Sequence, residues 1–147
     1  TALIEPAELD DRAASRELYR RMGWPEWFSA LMPYLKRNVV ALEGAGAVLA
    51  LGTDKSFAPY AWREMQLLAD AGLPPPAILK IATLNAARYL GLESTLGSIE
   101  AGKIADLVLL GADPLADIAN VRQVEAVIQG GRVVDRRSLQ VPANGVR

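Results

Sequence analysis

In Ala47–Ser56, AVLALGTDKS, five apolar residues run into Gly-Thr-Asp-Lys, so a carboxylate and an ammonium group follow directly on an apolar stretch. A carboxylate at the end of a buried strand can accept a proton, hold a cation through oxygen, or cap the next helix. Asp54 is the first candidate for chemistry, although alone its commonest role is a cap or turn. Lys55 could approach an anionic substrate or be solvated. The company Asp54 can keep is limited, because the 147 residues include no histidine and no cysteine. That excludes Ser-His and Cys-His nucleophiles and thiolate metal sites. A zinc site inside this chain would need carboxylates alone, an uncommon choice, and none is expected.

The elements that must position Asp54 follow from periodicity and punctuation. The apolar stretch Ala47–Leu51 reads as a strand covered on both faces, as in parallel sheets. Before it, Pro6–Met22 is predicted as a helix with an apolar face of Ala14, Leu18 and Met22, stopped by Gly23. A short helix from Pro25, packed by Trp24, Trp27 and Phe28 and broken at Pro33, should precede another over Tyr34–Glu43. Behind Asp54, Pro59 opens a helix to Asp70 with Ala61, Met65, Leu68 and Ala69 on one face. Pro74–Pro76 opens a further helix carrying Ile78, Ala82, Ala86 and Leu90, ended by Gly91. Thr83, Asn85 and Arg88 read as structural, Asn85 through local hydrogen bonds.

The chain then becomes β-like. Ala105–Leu110 is a strand, Asp113-Pro114 a turn, and VEAVIQGGRVVD a hairpin around Gly130-Gly131. Gly97, Gly102, Gly130 and Gly131 suit turns with positive φ. Lys103 and Asp106 flank the turn into this unit and can pair with each other or with backbone. A boundary is placed near Glu93, giving 1–92 and 93–147, with a frayed tail from Pro142.

Sixteen basic residues nearly balance seventeen acidic ones, so no basic field for nucleic acid or an anionic membrane exists. No apolar run reaches the length of a membrane span, and a cytoplasmic chain is expected.

Three stretches then act together: LALGTDKS, ILKIATLNAARYLGLESTLGSIEAGKIADLVLLGADPL and VEAVIQGGRVVD. Their order and distances over about Asn38–Asp135 resemble the C-terminal third of the amidohydrolase superfamily, the metal-dependent hydrolases with imidazolonepropionase-like and prolidase-like members. The resemblance implies an α/β fold, the C-terminal portion of a (β/α)8 barrel followed by a small β unit of a composite β domain. It makes Ala47–Leu51 the eighth barrel strand and puts Asp54 at its C-terminal end, the face on which such barrels carry catalysis. In the family this aspartate touches the metal or its bound water, takes the water's proton during attack on a C–N bond, and passes it to the leaving nitrogen. It also implies Lys55 and Trp62 as substrate contacts, and a divalent metal, zinc foremost, in the complete enzyme. The family's histidine ligands belong to strands upstream of this sequence, and a whole barrel takes about 250 residues. The expectation is a piece of an enzyme, inactive alone, that either self-associates or binds the missing N-terminal portion. The alternative is a non-catalytic, self-associating module from a truncated hydrolase gene.

Overall fold

The structure, a computed structural model, describes residues 6–53 and 58–135, so the tail from Pro142 lies outside the described residues. The described residues fall into two compact units, one over residues 6–33 and one over residues 34–134.

In the first unit, α1 (Pro6–Arg21) ends where Gly23 takes φ +70°. Glu17 pairs with Arg20 at 2.9 Å and Arg21 at 3.2 Å, one turn apart on the helix. The predicted apolar face stays uncovered: Ala14, Leu18 and Met22 are exposed. The aromatics pack on each other instead, Tyr19 stacked on Trp24 at 4.6 Å and Phe28 edge-on to Trp24 and Trp27.

The expected break at Pro33 does not occur. Trp24–Gly44 is one helix, α2, with Pro33 inside it. Proline removes one helix hydrogen bond and crowds the preceding turn, but the good helix formers on both sides carry the helix through. Ala47 N–H bonds back to Leu42 O at 3.0 Å and closes the helix end.

The predicted strand over Ala47–Leu51 is also corrected, since residues 47–53 form no ladder. Leu49 N–H folds back onto Ala47 O and Leu51 N–H reaches Ile81 O at 3.2 Å. Leu49 and Leu51 pack on the core while Val48 is 62% exposed. A strand needs a neighbouring strand, and none lies beside this segment among the described residues.

Helix α3 (Ala58–Ala71) presents Met65, Leu68 and Ala69 to the core and ends at Gly72, φ +107°. The single helix expected after Pro74 is two, α4 (Pro75–Ala82) and α5 (Leu84–Tyr89). Thr83, at φ −124° and ψ −87°, separates them, its hydroxyl donating to Leu79 O at 2.7 Å. That change of phase replaces the predicted face: Ile78, Ile81, Asn85 and Ala87 are buried, and Leu90 is exposed. Leu73, Ile78, Ile81 and Ile118 form the core, with Val39, Leu49, Leu51 and Val121 packed around them.

Strands β1 (Leu107–Leu110), β2 (Val124–Gln129) and β3 (Arg132–Val133) form an antiparallel sheet in the order β1-β2-β3. Gly130 (φ +53°) and Gly131 (φ +79°) make the two-residue turn expected from the sequence, both in the left-handed region that such turns require. A 3-10 turn, Ile118–Arg122, precedes β2 and places Ile118 in the core, so the described residues combine helices with one three-stranded antiparallel sheet.

Candidate functional site

Asp54 and Lys55 lie outside the described residues. What is described is their setting: the segment 47–53, tied to α4 through the Leu51–Ile81 hydrogen bond, leads into them. Helix α3 begins at Ala58 behind them, and Trp62 stands on its first turns. Trp62 is half-buried and faces the 3-10 turn, where the Arg122 guanidinium carbon lies 6.0 Å from its ring centroid. A cation over an aromatic face at that distance is attracted to the ring's negative face. Pro59, Arg63, Gln66 and Ile118 complete this groove.

Among the described residues no three acidic groups come together to hold a metal. Combined with the absence of histidine and cysteine from the chain, the donor set does not fit the zinc that the family resemblance implies. Any such ion would depend on ligands from another polypeptide segment.

Lys103 and Asp106 do not pair with each other. Lys103, its side chain 11% exposed, lies 3.3 Å from Glu100 and donates to the Ser98 hydroxyl at 2.5 Å. Ser98 donates in turn to Glu100. These contacts, the Ser98 hydroxyl first and then Lys103, hold the Glu100 carboxyl below its ordinary pKa. Asp106 Oδ1 accepts from the Gly130 N–H at 2.7 Å, and Gly131 N–H donates to Ala105 O at 3.0 Å. Both assignments are structural, shaping the turn and the hairpin tip.

Asn85 departs from its expected role. It is 7% exposed, and its Oδ1 has no hydrogen-bond partner among the described residues. An unpartnered buried polar atom costs about 1–3 kcal/mol, so it calls for an explanation. The signal was available in the sequence as an amide four residues beyond Ile81, interrupting an otherwise apolar row. Asn85 lines a cavity of about 160 Å³ with Glu43, Ala47, Val48, Lys80 and Arg88.

Comparison with known proteins places this geometry among relatives. The sequence profile of the Amidohydrolase family matches residues 27–134. The imidazolonepropionase of Shouchella clausii is 31% identical over 105 residues, 66% of this chain and 24% of that protein. That of Symbiobacterium thermophilum is 40% identical over 84 residues, 53% of this chain and 19% of that protein. A Xaa-Pro dipeptidase crystal structure superposes with a TM-score of 0.55 at 34% identity, covering 58% of this chain and 22% of that one. The chain thus spans about a quarter or less of the length of these relatives.

Proposed function

The chain belongs to the amidohydrolase family, and from that premise we propose that it is the C-terminal portion of a hydrolase of non-peptide or dipeptide C–N bonds. In this reading residues 1–92 contribute the last strand and helices of a (β/α)8 barrel, and residues 93–147 the small β domain. The observation that carries it is the family match over residues 27–134, which includes Gly52-Thr53-Asp54 ahead of α3.

The chemistry assigned to this chain belongs to Asp54. Its carboxylate takes the proton of the attacking water and returns it to the leaving nitrogen, a transfer that needs one oxygen within hydrogen-bond reach of both. Lys55 and Trp62 are proposed beside the substrate, Lys55 for an anionic group and Trp62 for apolar surface. The divalent metal characteristic of these hydrolases would be held by residues outside this chain, joined at most by Asp54. The imidazolonepropionases and the Xaa-Pro dipeptidase suggest a cyclic amide or a dipeptide as the substrate class.

The test is to join the chain to the coding sequence upstream and assay the product on both substrate classes. In the active product, Asp54→Asn should lower kcat by about 10²-fold or more with an unchanged melting temperature, because shape is kept and the proton acceptor is lost. An undiminished kcat removes Asp54 from the reaction. A second reading, a non-catalytic self-associating module, draws on the lack of any imidazole or thiolate in the chain. Upstream DNA that encodes no His-x-His after an apolar strand favours it.

A further inference from the structure

Two features on one rim of residues 34–134 are left unpartnered. The Asn85 oxygen is buried without a donor, in a cavity it shares with Ala47 and Val48. Beside it, the N–H groups of Val48 and Ala50 make no backbone hydrogen bond among the described residues, and the Val48 side chain is exposed. The neighbouring Leu49 and Leu51 are turned into the core, so this rim is held in place while its polar edge stays open.

We infer that this rim seats a backbone segment of the polypeptide that completes the barrel. The segment pairs along Val48–Ala50 and donates one peptide N–H to Asn85 Oδ1, which makes Asn85 the residue that sets its register. The inference rests on the barrel reading above and deepens it. Three observations select a polypeptide over a small molecule. The unpaired groups at Val48 and Ala50 are main-chain groups, whose natural complement is another main chain. The cavity, about 160 Å³, is smaller than ordinary small-molecule sites of about 300–1,000 Å³. Finally, the matched stretch makes up only 24% and 19% of the two imidazolonepropionases, so most of the polypeptide of such a fold lies outside this chain. A neutral N–H suits a buried neutral acceptor, since a charged donor would have to be stripped of water to reach it. Lys80 and Arg88, though on the same cavity, make no hydrogen bond to Asn85.

The test pairs the full chain with a named surrogate, the Symbiobacterium thermophilum imidazolonepropionase lacking the stretch that this chain matches. The two are co-expressed and purified on a tag carried by the chain. The wild-type chain is expected to retain the surrogate, with amide exchange at Val48 and Ala50 slowed at least about tenfold on binding. Asn85→Leu should weaken the complex by about tenfold or more, while the lone variant melts no lower than wild type, because the orphaned oxygen is gone. A complex equally tight with Asn85→Leu overturns the anchor and leaves the barrel reading standing. No complex between the wild-type chain and a surrogate shown by circular dichroism to be folded overturns the barrel reading itself. If the leucine variant fails to fold, exchange in the wild-type complex decides: unslowed amides at Val48 and Ala50 overturn the inference. So does slowing in the lone chain that depends on its concentration, which assigns the rim to a second copy.

Discussion

A β-carbon added at Gly97 would lie 2.7 Å from the Ala87 β-carbon and 2.9 Å from the Leu84 α-carbon, at φ +89°. Neither neighbour is the end of a flexible side chain, so the backbone of α5 would have to move. Gly97→Ala should therefore destabilise the fold by about 3 kcal/mol, from overpacking and left-handed strain together, read as a lower urea midpoint. The need for positive φ at Gly97 was legible in the sequence. The close approach of α5 was not, because contacts between elements leave no local pattern. Three residues on, Glu100 supplies a pH-dependent contact. Its folded pKa is depressed, so its contribution is present above the unfolded-state pKa and is lost as pH falls through the folded value. Carboxyl NMR should find Glu100 titrating below an ordinary glutamate, and Ser98→Ala should move it upward; an unmoved titration would show that the hydroxyl is not the main cause.

At the scale of elements, types and order were largely readable, and the misreadings share a cause. Glycines at 23, 46, 72 and 91, each with positive φ, mark helix ends as punctuation alone suggests. The hairpin turn was equally plain from Gly130-Gly131. Ala47–Leu51 has the composition of a strand, but composition cannot supply the neighbour that turns such a segment into a ladder. The spacing of Ile78, Ala82, Ala86 and Leu90 assumed one helix, whereas the turn of phase at Thr83 brings Ile81, Asn85 and Ala87 inward. As for the candidate site, Trp62 could be placed on α3 from sequence, but not its partner Arg122, sixty residues away in the chain. Pro33 was read as a break because local rules treat proline as one. Its position inside α2 makes a prediction: Pro33→Ala restores a helix donor and should stabilise the chain by up to about 3 kcal/mol. The rise would appear in the thermal midpoint followed by circular dichroism at 222 nm, and a fall would mean that the helix depends on a bend there.

At the scale of the whole molecule, a small core contrasts with a broad apolar exterior. Among the described residues the buried apolar side chains are few, Leu73, Ile78, Ile81, Ala87 and Ile118, while Tyr89, Ile99 and Val133 are each more than two-thirds exposed. Covering one large apolar side chain contributes roughly 1.5–3 kcal/mol, so a few of them drive association. The lone chain should therefore form dimers or larger species at micromolar concentration, by light scattering. A stable monomer across that range would mean that the lone chain needs no further cover. No helix among the described residues is long and apolar enough to cross a membrane.

The hold of Asp106 on the Gly130 N–H joins residues 24 apart in the chain. A hairpin such as β2–β3 zips up locally in about 1–10 μs, whereas the strap from Asp106 waits until β1 has been brought across the intervening loop. It is thus a late arrival in folding and an early departure in unfolding. The strap sits beside the Leu107–Ile128 pair, so that corner of the sheet is held by a side chain as well as by its backbone ladder.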